Sequence, residues 1–264
     1  MTPCVIVTSF QREFNQELLE GLITTFIAAF GSHLLCIIAA KLLIHDKQKE
    51  REYVMRFAVV FSNCGYMSLP LQNAILGGEG TFYGAAYIAV FNIFVWTYGV
   101  YLMSGDKNSV KLTTLLKTPA IIGIVVGAVM FVCSVSLPEV IIEPMRHLAN
   151  LNTPIPMMII GYNLAFASFK ESGLFRSVGA VMCMLCRLII TPAVCAALTY
   201  LCGVRGAVLI ACSIAAAAPS AANTNMFAVK FERDAALSAQ LVSVTTLLSA
   251  ITMPVIVGIV RALA

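Results

Sequence analysis

The residues best suited to binding chemistry lie in an apolar stretch, residues 205–230, that contains Pro219, Ser220, Asn223 and Asn225. Proline removes a helical hydrogen bond and clashes with the preceding turn, so the backbone should open near Pro219. In a bilayer, an open backbone is tolerated only where protein or a water-filled cavity satisfies its polar groups. Amide side chains and exposed helix N-termini can bind an anion without a buried positive charge. The stretch therefore predicts either a packed kink or an anion-binding site.

An earlier stretch repeats this arrangement. Arg56 lies 14 positions before Pro70, as Arg205 lies 14 positions before Pro219, and small and amide residues surround both prolines. Fourteen helical residues rise about 21 Å, which places both breaks well inside a hydrocarbon core of about 30 Å. Paired interrupted segments of this kind point to the binding site of a secondary transporter. We therefore predict that two broken helices cross near Pro70 and Pro219.

Amide side chains are the candidate ligand contacts at these breaks. An amide in a membrane span can simply bridge neighbouring helices, but three amides beside two breaks favour a site. Asn163, near the prolines that begin the fifth predicted span, is a further candidate for the cavity wall. At the two breaks, the predicted substrate-binding residues are Asn63, Pro70, Pro219, Ser220, Asn223 and Asn225.

Arg187 is the only basic residue placed well inside a predicted span. A charge at the bilayer centre costs about 3 kcal/mol on insertion scales, so Arg187 is a candidate substrate contact. Pairing with backbone carbonyls is an equally good interpretation, and both stay open. No Asp or Glu falls inside a predicted span, which counts against proton or sodium antiport through a midplane carboxylate.

The composition indicates an all-α integral membrane protein. Of the 264 residues, 59% are hydrophobic and 11% are charged, whereas a soluble domain carries about 25% charged residues. No basic run suggests nucleic acid, and the nine cysteines and three histidines show no metal-binding spacing or cofactor motif. A protease of the membrane interior would need a nucleophile with a base, paired aspartates or HExxH, so no enzyme is expected.

Hydropathy predicts eight spans, at residues 21–44, 56–78, 82–104, 117–136, 154–169, 177–202, 206–228 and 236–260. With Met1 outside, twelve Lys and Arg residues lie on the cytoplasmic side and four outside, which is a clear positive-inside bias. We therefore predict a multi-pass protein of the cell (inner) membrane with both termini outside. Trp96, near a cytoplasmic end, fits an interfacial belt. The twelve are Lys41, Lys47, Lys49, Arg51, Arg56, Lys107, Lys111, Lys117, Lys170, Arg176, Lys230 and Arg233; the four are Arg12, Arg146, Arg205 and Arg261.

The spans also form a predicted inverted repeat, since Pro70 and Pro219 lie in equivalent spans that cross in opposite directions. Residues 1–105 are the incomplete first repeat, residues 106–118 a cytoplasmic linker, and residues 119–264 the second five-helix repeat. From the repeat pattern we expect that about two helices of the first repeat are missing from the N-terminus. We expect about eight spans of a ten-helix pattern.

Several stretches resemble a known family: FAVVFSNCGYMSLPLQNAILGGEG, TPIPMMIIGYNLA and, most specifically, AAAAPSAANTNMFAVKFERDAALSAQLVSVTTLLSAITMPVIV. They are similar to the bacterial branch of the auxin efflux carrier family of membrane transport proteins. The resemblance implies a five-plus-five inverted repeat whose fourth and ninth helices break at prolines, here Pro70 and Pro219. It also implies carriage of small organic anions: auxin in plants, and dicarboxylates such as malate or malonate in some bacterial members.

The resulting prediction is a secondary carrier of small organic anions that works by alternating access around a midplane helix crossing. Its expected partners are the anion and the lipid bilayer, and a homodimer is left open. The alternative is a truncated, non-transporting or regulatory membrane protein, because the first repeat lacks its opening helices.

Overall fold

The computed structural model describes residues 1–110, 112–166, 174 and 177–264. The side chains of residues 112, 115, 160 and 163–166 are not described, so the predicted contact of Asn163 lies outside the described side chains. Three basic residues of the orientation prediction and the end of the span predicted at 154–169 also lie outside the described residues. The three are Lys111, Lys170 and Arg176.

The described residues form helices joined by short loops, without a β-sheet. Their bounds are α1 Thr2–Ser9, α2 Gln16–Leu43, α3 Lys49–Val60, α4 Cys64–Ser68 continued by Leu69–Leu76, α5 Gly78–Ser104, α6 Leu112–Leu116, α7 Pro119–Val132, α8 Glu139–Asn150, α9 Pro154–Phe166, α10 Val178–Leu201, α11 Gly206–Ala217, α12 Asn223–Lys230 and α13 Ala235–Leu263.

Each predicted span is occupied by a helix or by a pair of shorter helices. Helices α2, α5, α10 and α13 are long and apolar enough to cross a membrane. A helix satisfies its own backbone hydrogen bonds, which is what a hydrocarbon surrounding requires. The pairs α3–α4 and α11–α12 occupy the two spans that were predicted to break. The structure therefore confirms an all-α membrane fold with two broken helices.

The long helices surround the broken ones. Helix α11 packs against α2, α5, α10 and α13, and α3 packs against the same four helices. Aromatic rings fill the space beside α3: the Phe57 and Phe61 ring centroids lie 4.4 Å apart, and Phe61 meets Phe91 edge-on at 5.8 Å. The two broken helices are therefore held in the interior of the helical assembly.

Helices α1, α7 and α8 form a second group at the side of this assembly. Two glycines let α1 approach α7 closely, because a Cβ at Gly123 would lie 3.1 Å from Pro3 Cα and one at Gly127 would lie 2.8 Å from Phe10. Small residues at such positions drive helix association in a bilayer by close backbone packing. The α1–α7 pair contacts α5 through Phe82, whose ring lies 5.0 Å from that of Phe10.

Ion pairs join the beginning of α3 to the loop between α12 and α13. Arg51 Nη1 lies 3.2 Å from Asp234 Oδ2, and Arg233 pairs with Glu50 while its Nε donates to the Met103 carbonyl. The ends of both broken helices and of α5 are thereby tied together at one face, which is the predicted cytoplasmic face.

Candidate functional site

Both broken helices open near their middle. Helix α3 ends at Val60 and α4 begins at Cys64, so residues 61–63 are not helical. Helix α11 ends at Ala217 and α12 begins at Asn223, with Ala218 in an extended conformation. Two helix C-termini and two helix N-termini therefore lie close to the same region of the molecule.

The two openings pair with each other in an antiparallel bridge between Ser62 and Ser220. The Asn63 backbone N–H donates to the Pro219 carbonyl at 2.7 Å, and the Ala221 N–H donates to the Phe61 carbonyl at 2.9 Å. Each opened segment thus satisfies polar groups of the other, which is the solution that a low-dielectric interior demands. The predicted crossing of two broken helices is present, with Pro219 as one of its members.

The prediction that the first helix breaks at Pro70 is wrong, because the break lies at residues 61–63 and Pro70 lies in the first turn of Leu69–Leu76. The five residues before that segment, Cys64–Ser68, form a wide π-type turn. Proline clashes with the carbonyl four residues earlier, and a wide turn accommodates that clash without opening the helix. Pro70 therefore reshapes α4 and takes no part in the crossing.

The carbonyls released at the two helix ends are satisfied by side chains. Ser220 Oγ donates to the Ala58 carbonyl at 3.1 Å, and the Ser220 N–H donates to Thr245 Oγ1 at 3.2 Å. Ser220 is fully buried with both groups in use. The structure thus places this predicted ligand contact in the framework of the crossing.

Arg187, on α10, reaches both helix ends at once. Its guanidinium donates to the Val59 carbonyl at 2.8 Å and to the Ala216 carbonyl, and the residue is only 1% exposed. Helix C-termini carry partial negative charge, so two of them favour a cation at this position. No carboxylate among the described residues forms an ion pair with Arg187. The carbonyl-pairing interpretation of Arg187 therefore fits its contacts.

A cavity of about 460 Å³ lies beside the crossing and receives both helix N-termini, the beginning of α4 and the beginning of α12. We call it the crossing cavity. Arg187 is not among its lining residues, and no acidic side chain among the described residues lines it. Its polar lining comprises Thr2, Ser62, Asn63, Tyr66, Asn92, Trp96, Thr118, Asn152 and Asn223.

Asn63 lines this cavity and has an unused side-chain donor. The residue is 3% exposed, and its side-chain Nδ2 has no hydrogen-bond partner among the described residues. A buried donor without a partner costs about 1–3 kcal/mol, so it marks a place where a ligand atom can bind. Asn223, the first residue of α12, lines the same cavity and is half-buried. Two of the predicted amides are thus brought together.

Asn225 is not part of this wall. Its Nδ2 donates to the Ala235 carbonyl at 3.1 Å and to Ser238 Oγ at 2.9 Å, so the side chain joins α12 to the beginning of α13. It occupies the position of an interhelical bridge, the interpretation that applies to many amides in membrane spans.

Sequence reasoning missed part of the cavity wall on α5. Asn92 and Trp96 both line it, whereas Trp96 was expected in an interfacial belt. The available signal was their spacing, because Ile88, Asn92 and Trp96 recur every four residues and therefore share one helix face. Asn152, from the loop before α9, also lines the cavity. No local pattern indicates that this loop reaches the crossing.

One acidic residue near a broken helix is buried. Glu52, in the first turn of α3, is 2% exposed and pairs with Arg56 at 2.8 Å and with Lys49 at 3.1 Å. It is fully used in these ion pairs and does not line the crossing cavity. The cavity therefore presents amide and backbone donors to a ligand, as an anion site requires.

Long apolar helices together with two broken helices that cross beside a polar cavity define a multi-pass membrane protein of the transporter class. The chain belongs to the family described as membrane transport protein, because the model of that family matches residues 1–114 and 108–257. This match confirms the resemblance that the sequence motifs predicted. A comparison with curated proteins finds no match.

Proposed function

We propose that this membrane transporter is a secondary carrier of small organic anions such as carboxylates and dicarboxylates. The observation that carries the proposal is that Asn63, whose side-chain Nδ2 has no partner among the described residues, lines a cavity that also receives two helix N-termini. Helix N-termini and amide donors stabilise a carboxylate without a buried counter-charge. The cavity volume of about 460 Å³ falls within the range of about 300–1,000 Å³ that is usual for small-molecule sites.

The packing also suggests how access alternates. The crossing cavity lies between the group of α1, α7 and α8 and the assembly that contains both broken helices. Ion pairs and the crossing bridge hold the broken helices together as one unit. Movement of that unit against the α1, α7 and α8 group would open the cavity first to one side and then to the other. We place the protein in the cell inner membrane with both termini outside, on the positive-inside argument.

Transport by purified full-chain protein in vesicles tests this function. We expect uptake of labelled malonate or malate by exchange. Asn63→Ala should weaken malonate binding about tenfold or more, since a hydrogen bond to a charged group contributes about 1.5–3 kcal/mol. Binding is measured by calorimetry in detergent and flux by vesicle uptake.

Asn225→Ala is the matched control, because it removes an amide on the other broken helix, and that amide does not line the cavity. It should leave malonate affinity within about twofold, as expected for a residue without ligand contact. Absence of flux with a broad panel of carboxylates would reject the carrier. Equal weakening by Asn63→Ala and Asn225→Ala would reject this cavity as its site.

A further inference from the structure

A second polar cavity lies near the crossing cavity and contains two arginines. Its volume is about 570 Å³, and we call it the basic cavity. Among the described residues that line it, the only charged side chains are those of Arg12 and Arg146, and none is acidic. Further donors in its wall are the side chains of Asn73, Thr81, Asn150 and Asn152. Its lining therefore has the chemistry of an anion site.

Arg12 is held in place by its surroundings. Its Nη2 lies so close to the backbone of Gly78 that a Cβ there would overlap it, and its guanidinium lies 6.0 Å from the Phe82 ring centroid. No carboxylate among the described residues pairs with Arg12. A half-buried guanidinium that has a defined position and forms no ion pair with a described residue is suited to bind a carboxylate through its fork of N–H donors.

Arg146 adds a second charge to the lining of the cavity. Its Nη1 lies 2.5 Å from Glu143 Oε1, but both side chains are more than half exposed. Exposed ion pairs of this kind contribute only about 0–1 kcal/mol. The pairing therefore leaves the Arg146 guanidinium able to contact an anion at little cost.

Asn152 forms the partition between the two cavities, because it lines both of them while being only 2% exposed. Its Nδ2 donates to the Gly65 carbonyl at 3.1 Å, and its Oδ1 accepts from Thr2 Oγ1 at 3.0 Å. The first contact joins the loop before α9 to α4, and the second joins that loop to α1. The two hydrogen bonds hold the Asn152 side chain in place between the two cavities.

We infer that the basic cavity is a second binding site for small organic anions, where the anion is held by Arg12 and Arg146 before it passes Asn152 into the crossing cavity. The passage of the anion from the basic cavity to the crossing cavity rests on the proposed function. The site itself rests on the cavity, on the Arg12 guanidinium, which has no ion pair among the described residues, and on the absence of acidic lining among those residues. The ligand class is the mono- or dicarboxylate class assigned to the crossing cavity.

Flux from each face of oriented vesicles tests the site. The double variant Arg12→Gln, Arg146→Gln should raise KM for malonate about five- to tenfold from the face that carries these residues, as expected for loss of two partly exposed charge contacts. Vmax should stay within about twofold and KM from the opposite face should not change, because the crossing cavity is intact. Raising the salt concentration should reduce the difference between variant and wild type.

Arg205→Gln is the matched control, since Arg205 has the same predicted sidedness but lies over the Tyr200 ring at 3.5 Å and binds carbonyls of its own loop. It should leave both KM values unchanged. An equal KM rise in Arg205→Gln, or a fall in Vmax without a KM change in the double variant, would overturn the site.

A glycine substitution tests the position of Arg12 without removing its charge. Gly78→Ala should displace the guanidinium and raise KM in the same direction as the loss of Arg12, whereas Gly31→Ala, whose Cβ meets nothing within 4 Å, should not. Unchanged KM in Gly78→Ala would contradict the placement of Arg12 in the site.

Calorimetry with malonate separates this inference from the proposed function. Wild-type protein should bind malonate at two sites, one lost in the double arginine variant and the other weakened by Asn63→Ala. Malonate binding that depends on Arg12 and Arg146, in a protein without any flux, would reject the carrier and keep the site. A single site that the arginine variant does not alter would reject the basic cavity.

Discussion

The first broken helix opens over residues 61–63, where there is no proline, whereas the second opens over residues 218–222 around Pro219. At the second break, Pro219 has no N–H to donate to the helix, so the local sequence interrupts the hydrogen-bond ladder. At the first break, Asn63 has an N–H but donates it to the Pro219 carbonyl across the crossing. One helix is therefore opened by its own residues and the other by its partner.

The shared element of the two breaks is Arg187, which donates to one carbonyl of each. The largest effect is therefore expected for Arg187→Met, which leaves the Val59 and Ala216 carbonyls buried without a donor. Each unsatisfied group costs about 1–3 kcal/mol, so we expect a loss of about 3 kcal/mol or more. Thermal unfolding in detergent micelles measures the loss.

Arg187→Lys should fall between wild type and Arg187→Met, because an ammonium keeps the charge but not the planar fork that reaches two carbonyls. Arg205→Met, an exposed arginine bonded within its own loop, is the control and should change stability little. Wild-type stability of Arg187→Met would show that the two breaks do not depend on this residue.

This difference between the breaks explains why the sequence predicts the position of one break and not of the other. Pro219 was located correctly, because its effect on the helix is local. Pro70 was chosen by analogy, but the wide turn over Cys64–Ser68 accommodates it, and the first break depends on the Asn63–Pro219 contact between distant segments. Four of the eight predicted spans, at residues 21–44, 82–104, 177–202 and 236–260, coincide with helices long and apolar enough to cross a membrane, since hydropathy over about 20 residues is a strong signal in a bilayer.

The sequence predicts only part of the candidate site, because some of its residues are brought there by contacts between distant segments. Asn63 and Asn223 lie beside the breaks and were found by position, whereas Asn152 enters the cavity from a loop that only the packing brings there. Arg187 was recognised as unusual from its burial cost, but its two acceptors lie in two different helices, and no sequence spacing relates them.

Substitution of the two prolines is the next test of the difference between the two helix breaks. Pro219→Ala restores an N–H that can continue helix α11, so it should favour helix over the opened segment and destabilise the crossing by about 1–3 kcal/mol, in the range of strained backbone positions. Pro70→Ala, in the first turn of its helical segment, should cost less than about 1 kcal/mol. Thermal unfolding and malonate affinity are measured on both variants.

The affinity of the crossing cavity for malonate should fall in Pro219→Ala and stay near wild type in Pro70→Ala, because only Pro219 contacts Asn63 at the crossing, whereas Pro70 lines the basic cavity. Equal losses in the two variants would indicate that both prolines support the crossing, contrary to the contacts seen here. A loss confined to Pro70→Ala would reverse the assignment of the breaks.

The two serines that face each other in the bridge provide the smallest and most direct contrast. Ser220 Oγ donates to the Ala58 carbonyl at 3.1 Å, so Ser220→Ala leaves a buried carbonyl without its donor and should cost about 1–2 kcal/mol. Ser62 Oγ is buried without a nitrogen or oxygen partner among the described residues, so Ser62→Ala removes a group that contributes no such bond. Its cost should stay below about 0.5 kcal/mol, since the partner of this hydroxyl is the Cys64 thiol, which forms only weak hydrogen bonds.

Both serine variants remove one oxygen from the same bridge, so their difference isolates the side-chain contact from any change in size. Thermal unfolding of the two proteins in the same detergent gives that difference directly. A larger loss of stability in Ser62→Ala than in Ser220→Ala would mean that the first opened segment stabilises itself. It would contradict the conclusion that one helix is opened by its own residues and the other by its partner. The double variant should lose about as much stability as Ser220→Ala alone, because Ser62 Oγ makes no contact through which the two hydroxyls interact.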